Sequence, residues 1–292
     1  MTGASPVVRG MLWMAASGFI FILLNALMKK LSHELDPWLV GFLRYLVGAV
    51  VMLGPALRLG ARTLRSNAPR WQFVRGLFHA GGMMLWFAAL PLVTLAELTA
   101  IGFSGPIFIC LGASLFLGER MSLARWTAVL IGFAGVLIVV QPWAPGGFSG
   151  ISRGMLLMLA SAPVFAGSFL VAKTLTRHDP SEVVVLWQHL WVSILLVGFA
   201  VFYWTAPSAA QWGLLVACGF LGAGGHYCMT RAFRAADISA TQPVKFLELV
   251  WAALLGFAIF GTLPTGTTVL GGVVILASTL LLMRHEARGA VR

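Results

Sequence analysis

The polar residues best placed to bind a small molecule lie between Thr241 and Glu248. Lys245 and Glu248 are three residues apart, so on a helix they share one face and can form an ion pair that lowers the cost of burying either charge. Thr241 falls on the same face, and Gln242 lies just beside it. A cation next to an anion could bind the carboxylate and the amine of a zwitterion. The alternative is a structural ion pair between packed helices.

A second group combines a histidine with aromatic side chains. His79, Met83 and Trp86 are spaced at i, i+4 and i+7, which places them on one helical stripe. Aromatic faces stack on flat ligands and ring nitrogens direct hydrogen bonds, so the stripe suits an aromatic or amphipathic molecule. A histidine with a purely structural hydrogen bond is the alternative. With Tyr227, which follows a glycine-rich segment, the predicted lining residues are His79, Trp86, Tyr227, Gln242, Lys245 and Glu248.

The composition places these residues in a membrane. Of the 292 residues, 59% are hydrophobic and 10% are charged, whereas about 25% are charged in ordinary soluble domains. Apolar runs of about 20 residues, each long enough to cross a bilayer as a helix, recur throughout. The predicted spans are 10–31, 38–57, 73–91, 96–117, 123–141, 152–174, 183–204, 211–233, 238–260 and 266–284.

The basic residues predict the orientation of these spans. The chain has 20 Lys and Arg residues and a formal charge of +11. If both termini are cytoplasmic, fifteen of the 20 lie in cytoplasmic segments, among them Arg75 and Arg125, as the positive-inside rule requires. The charge is therefore explained by membrane topology, and no nucleic-acid partner is predicted. Cys110, Cys218 and Cys228 all fall inside spans and are interpreted as small core residues.

The second half of the chain is a diverged copy of the first. Residues 9–31 (RGMLWMAASGFIFILLNALMKKL) align without gaps with residues 153–175 (RGMLLMLASAPVFAGSFLVAKTL), and ten of the 23 positions are identical. At the same offset Tyr45 aligns with His189. Each copy holds five spans, and an odd number reverses the second copy in the membrane. The predicted fold is all-α, with ten transmembrane helices as two inverted five-helix repeats, residues 1–144 and 145–292.

These features resemble the EamA-type transporters of the drug/metabolite transporter superfamily. The resemblance rests on the repeated five-helix pattern, a Lys near the end of the first helix of each repeat (Lys29, Lys173), Arg44 in the second helix, and Gly118-Glu119 closing the fourth. The second copy departs from it, with Gly261-Thr262 in place of Gly118-Glu119. The tryptophans and the mixed polar lining look most like the aromatic amino-acid exporters. The resemblance implies export of amino acids or related metabolites across a bacterial inner membrane.

The sequence therefore predicts a secondary transporter that works by alternating access. Its partners are a small-molecule substrate and the lipid bilayer; no cofactor or metal is predicted, and nothing indicates an oligomeric state. Other amphipathic metabolites or drugs are alternative substrates. An intramembrane enzyme would need a motif such as HExxH or GxSxG, which the sequence lacks. An open channel is the less favoured alternative, because the sequence shows neither rings of like charge nor a carbonyl filter.

Overall fold

The computed structural model describes residues 5–31, 33–89, 92, 101–144, 152–260 and 265–289, and these contain helices and no strand. Outside them lie the predicted start of the fourth span, the boundary between the repeats near residue 145, and Gly261-Thr262. The long helices are α1 (Pro6–Leu31), α2 (Pro37–Arg58), α3 (Pro69–Ala89), α4 (Gly105–Phe116), α5 (Leu123–Val140), α6 (Arg153–Leu175), α7 (Ser181–Phe202), α8 (Ala209–Ala235), α9 (Leu247–Phe260) and α10 (Gly266–Gly289).

Seven of these helices are long and apolar enough to cross a membrane, within the described ranges: α1, α2, α5, α6, α7, α8 and α10. The chain is thus a multi-pass membrane protein. Short polar caps define where several helices begin. Asp36 accepts a hydrogen bond from the Trp38 amide at the start of α2, and Ser152 accepts one from the Met155 amide at the start of α6. Ser208 and Gln211 form a reciprocal capping box at the start of α8.

Two predicted spans are not single helices. The fourth was predicted over 96–117, but the chain turns at Phe103 and Ser104 and α4 begins at Gly105, beside Pro106, which has no amide hydrogen to continue a helix. The ninth was predicted over 238–260. It consists of one α-helical turn (Ile238–Thr241), a 3-10 helix (Gln242–Phe246) that contains Pro243, and α9. Each segment was predicted as one span with a proline that could bend it, and in the structure Pro106 and Pro243 lie at the breaks.

Helices of one half pack against helices of the other half. The principal pairs are α1 with α8, α3 with α6, α2 with α7, and α5 with α10. Glycines allow the close contacts: a Cβ atom added to Gly82 would lie 2.8 Å from the ring of Phe165, and one added to Gly225 would lie 2.8 Å from the ring of Phe21. These two contacts join equivalent positions of the repeated sequence, so the packing follows the repeat.

Gly76 provides a test of this packing. A Cβ atom at Gly76 on α3 would overlap the Cβ atom of Trp191 on α7, which no rotamer change can move. We expect Gly76→Ala to destabilise the fold by about 1–3 kcal/mol, the usual cost of overpacking, and to lower the thermal unfolding temperature in detergent. Gly54→Ala is the matched control because, among the described residues, no atom beyond its own stretch of helix lies within 4 Å of the added methyl group. Equal unfolding temperatures for the two variants would contradict the α3–α7 packing.

The two ends of the bundle differ in charge. One end, called the basic end below, carries the loops 59–68, 117–122, 176–180 and the chain at 236–237. Exposed arginines there include Arg58, Arg62, Arg65, Arg70 and Arg120. The other end, called the opposite end, carries the loops 33–36 and 203–208, where Gln211 donates a 2.9 Å hydrogen bond to Glu34.

Candidate functional site

Three histidines from three helices meet at the centre of the bundle. This histidine cluster consists of His79 on α3, His189 on α7 and His226 on α8, all buried. The ring centroid of His226 lies 5.2 Å from that of His79 and 5.5 Å from that of His189. Tyr45 on α2 joins them, with its ring centroid 5.1 Å from that of His189. The cluster therefore joins helices of both halves.

Hydrogen bonds hold two of the three rings. His79 Nε2 lies 2.7 Å from the Tyr45 hydroxyl, and His79 Nδ1 lies 3.2 Å from the Ser168 hydroxyl on α6. His189 Nδ1 lies 2.9 Å from the Val185 carbonyl oxygen, and because a carbonyl only accepts, this nitrogen carries a proton. The Nδ1 atom of His226 is buried and has no hydrogen-bond partner among the described residues.

Two buried arginines flank the cluster. The guanidinium carbon of Arg44 lies 4.2 Å from the ring centroid of Tyr45. Arg75 donates a 2.8 Å hydrogen bond to the Val184 carbonyl oxygen and another to the Gln188 side-chain oxygen. The sequence prediction counted Arg75 with the cytoplasmic segments, and in the structure it lies within α3. The side chain is fully buried within α3, because these two acceptors on α7 replace the water that it would otherwise need.

Lys245 and Glu248 form the predicted ion pair. Lys245 Nζ lies 3.9 Å from a Glu248 oxygen, and the two side chains are 20% and 14% exposed. The ammonium also lies 5.4 Å from the ring centroid of Phe169 on α6, within cation–π range. The Phe169 ring centroid is 6.2 Å from that of His79. His79 and Lys245 therefore both lie near Phe169, a residue not selected from the sequence, and Glu248 is joined to them through Lys245.

The other three predicted lining residues have separate surroundings. Trp86 is partly buried, with its ring centroid 5.3 Å from that of Phe87 in an edge-to-face contact. Gln242 is fully buried and donates a 3.2 Å hydrogen bond to the Ile238 carbonyl oxygen. The Tyr227 hydroxyl donates a 3.1 Å hydrogen bond to Glu182 on α7, towards the basic end. Tyr227 therefore contacts α7 near the start of that helix.

At the basic end, carboxylates of each half bind groups of the other half. Glu119, after α4, accepts hydrogen bonds from the amides of Ile238 and Ser239 at 2.9 and 3.0 Å, and from the Ser239 hydroxyl at 2.6 Å. These amides begin the helical turn before α9, so Glu119 acts as its cap from the other half. Arg125 on α5 binds Glu286 at 2.8 Å and Asp237 at 3.0 Å.

Two further contacts complete this network. Asp179, in the α6–α7 loop, accepts hydrogen bonds from the Asn67 amide at 2.8 Å and from the Gln72 side chain at 2.9 Å, at the start of α3. Lys173 at the end of α6 donates to the Phe233 and Ala236 carbonyl oxygens at 2.6 and 2.5 Å, at the end of α8. The basic end is therefore closed by charge-assisted hydrogen bonds between segments that are distant in the sequence.

Within the described residues, no group of three or more His, Cys, Asp and Glu side chains is arranged to hold a metal ion. Cys110, Cys218 and Cys228 are buried and free, in agreement with the interpretation as core residues. The histidine cluster could have been found from the sequence through the alignment of Tyr45 with His189, because equivalent polar residues near the middle of equivalent helices meet where the halves meet.

Comparisons with known proteins agree with this architecture. The EamA-like transporter family matches the chain twice, at residues 8–141 and 152–284. A riboflavin transporter of Rhizobium johnstonii is 35% identical, over 97% of this chain and 94% of that protein. An S-adenosylmethionine uptake transporter of Rickettsia bellii is 27% identical, over 90% and 89%. A crystal structure that is 24% identical covers 94% of this chain and 97% of that chain, with a TM-score of 0.79, so the fold is shared.

The two family matches leave little of the chain outside them. The helices, the buried polar centre and these matches lead to one conclusion: the chain belongs to the EamA-like transporter family.

Proposed function

We propose that the protein is a secondary carrier for a small, flat heteroaromatic metabolite, with riboflavin as the first candidate. The single observation that carries this proposal is the 35% identity to a riboflavin transporter over nearly the whole length of both chains. The substrate class predicted from the sequence was aromatic amino acids, and the Lys245–Glu248 pair keeps these as a second candidate because it could bind a zwitterion.

The contacts around Phe169 support a flat aromatic ligand. The Phe165 and Phe169 rings lie nearly parallel, 6.4 Å apart with an interplanar angle of 16°, and His79 packs edge-on against both. Such faces stack on a planar ring system. Lys245 and Glu248 next to them offer a donor and an acceptor for ring carbonyl and imino groups. We retain Trp86, Tyr227 and Gln242 as further members of the proposed site.

We further propose an inverted repeat of residues 1–144 and 145–292 that works by alternating access. Support comes from the ends of the first helix of each repeat: a Cβ atom on Gly10, near the start of α1, would lie 2.8 Å from Ala236, and Lys173, near the end of α6, binds the carbonyl of the same Ala236. Thus α1 begins at the basic end and α6 ends there. The sequence contains no GxxxxGK(S/T) loop for ATP, and we propose that solute or ion gradients drive the flux.

The basic residues support a placement in the bacterial inner membrane with both termini and the basic end in the cytoplasm. A carrier of this design moves its substrate in either direction, so the export predicted from the sequence and the uptake named for the Rickettsia relative are compatible with one mechanism. We propose no covalent chemistry and no cofactor, because the lining residues offer binding groups only.

Binding by the purified protein tests the substrate class. We expect riboflavin to raise the thermal unfolding temperature, since a ligand at about 100 times its Kd stabilises by about 2.7 kcal/mol. Phe169→Ala should weaken riboflavin binding by about 2- to 13-fold, in line with about 0.5–1.5 kcal/mol for a lost aromatic contact. The matched control is Phe116→Ala, because Phe116 is 79% exposed. Stabilisation by aromatic amino acids and none by riboflavin would favour the second candidate.

A further inference from the structure

We infer that the histidine cluster is a proton-binding site, with His226 as the acceptor, and that proton binding there is coupled to the conformational change of transport. The inference rests on the proposed carrier function and adds to it a coupling ion that facilitated diffusion would not need. The site is distinct from the ion pair at Lys245 and Glu248, although the Phe169 ring connects the two.

The surroundings of His226 are the first observation. The residue is 4% exposed, and its Nδ1 atom has no hydrogen-bond partner among the described residues, whereas the other two histidines are bonded. The ring is held by packing, with the Phe21 ring centroid 5.0 Å away. A buried polar atom without a partner is costly and calls for a functional explanation. Nδ1 can accept a proton without breaking an existing hydrogen bond.

The charges around the ring are the second observation. The rings of Tyr45 from α2, His79 from α3 and His189 from α7 contact it. Two further ionisable groups lie behind these rings: Arg44 packs on the Tyr45 ring, and Arg75 binds Gln188, next to His189. The packed elements α1 and α6 contribute neutral groups, Phe21, Ser17 and Ser168. The ionisable groups are basic or phenolic, so an imidazolium in this packed arrangement is repelled by its neighbours and has no counterion among the described residues. A proton is therefore bound only when the cluster separates and water enters.

Proton binding is coupled to the conformational change because the packed cluster and the separated, hydrated cluster differ in their affinity for a proton. A ligand shifts a conformational equilibrium when it binds one state more tightly than the other. The packed arrangement favours a neutral cluster, and an open one favours a charged cluster. The hydrogen bonds from Tyr45 through His79 to Ser168 extend the cluster to α6, which also carries Phe169. Movement at the substrate site is therefore transmitted to the cluster.

The proton balance is simple. A proton from water on the side to which the cluster opens binds the lone pair of His226 Nδ1, and it leaves to water on the other side when the carrier has changed state. One proton crosses per cycle, and no bond to the substrate forms or breaks.

A conformational reporter tests the site without any substrate. In a protein with its three cysteines replaced by alanine, Thr241→Cys places a thiol at a fully buried position of the basic end, and Thr205→Cys places one at an exposed position of the opposite end. We expect the ratio of their labelling rates by a methanethiosulfonate reagent to change about fivefold or more between about pH 8 and about pH 5. The ratio should stay constant when His226→Asn or His226→Gln is added.

The matched control is His33→Asn, because His33 is exposed near the end of α1 and should leave the pH response intact. Thermal unfolding of each variant checks that the fold is preserved. A ratio that does not change with pH, or that changes equally without His226, would overturn the inference.

A transport assay in vesicles distinguishes a failure of the proton site from a failure of the proposed function. In vesicles of phosphatidylethanolamine and phosphatidylglycerol, with the membrane potential clamped by potassium and valinomycin, a gradient of one pH unit should shift the final distribution of labelled riboflavin by up to about tenfold. His226→Asn should lose this shift but keep exchange at equal pH on both sides. Exchange without a gradient effect in the wild type would refute the coupling and leave the carrier intact. If the wild type does not exchange riboflavin but its cysteine-labelling ratio still depends on pH, riboflavin is refuted as substrate and the proton site is left intact.

Discussion

Replacing Lys245 by alanine is expected to reduce riboflavin exchange in vesicles by about tenfold or more. The variant removes the ammonium that lies 3.9 Å from Glu248 and 5.4 Å from the Phe169 ring centroid, and it leaves a mostly buried carboxylate without its partner. Breaking one side of a buried ion pair typically costs about 3–5 kcal/mol, so stability should fall as well. The measurement is the initial rate of exchange, corrected for the amount of folded protein.

The double variant Lys245→Met with Glu248→Gln separates substrate binding from structure. It removes both charges at similar volume, so it should recover much of the lost stability while exchange stays low. Lys30→Ala is the control for loss of a lysine, because Lys30 is exposed at the end of α1. Full exchange activity in Lys245→Ala would show that this residue does not belong to the binding site. Recovery of both stability and exchange activity in the double variant would show that the pair is purely structural.

Glu119→Ala is expected to open the basic end more often. The carboxylate satisfies the amides of Ile238 and Ser239 at the start of the segment that leads to α9. Loss of a helix cap costs about 0.5–2 kcal/mol, which corresponds to a change of roughly 2- to 30-fold in the opening equilibrium. The labelling rate of Thr241→Cys should rise by this factor, because Thr241 is fully buried behind the cap.

The matched control for this prediction is Glu34→Ala. Glu34 is an exposed carboxylate at the opposite end, bound to Gln211, and its loss should leave the labelling rate at Thr241→Cys unchanged. If Glu119→Ala labels no faster than the wild type, the carboxylate is not what keeps the basic end closed.

The contact of Glu119 with Ile238 and Ser239 has no carboxylate equivalent in the second copy of the repeat. The first copy has Gly118-Glu119 and the second has Gly261-Thr262 at the corresponding position, so only one copy supplies a carboxylate. The observed arrangement has Glu119 bound to the other half at the basic end. A carrier whose two ends are held by unequal contacts favours one closed end at rest, and the free energy of substrate binding must then overcome that preference.

The long-range organisation of the fold could be predicted because hydropathy and repetition are properties of whole segments. Helices such as α1 and α6 follow the predicted spans closely, and the repeat predicted which helices are equivalent. The breaks at Ser104 and at Gln242–Phe246 could not be placed, because a proline at Pro106 or Pro243 is compatible with a kink, a 3-10 stretch or a new helix start, and tertiary contacts decide among them.

The polar centre was less predictable than the spans. Lys245 and Glu248 were found because their pairing is local, three residues apart on one segment. The burial of Arg75 depends on Val184 and Gln188, more than 100 residues away, and no local pattern signals it. Phe169 was missed for the same reason, since phenylalanine is common in apolar spans and only its contacts with His79 and Lys245 distinguish it.

The central claim is that the protein is a carrier that exposes one site to each side in turn. Counterflow in vesicles tests it most directly: labelled riboflavin outside is measured as it enters vesicles that are empty or loaded with unlabelled riboflavin. For a carrier we expect a saturable rate of entry that increases when the vesicles are loaded, because the site returns faster when occupied. Entry that rises linearly with concentration and is indifferent to loading would contradict it and indicate a channel.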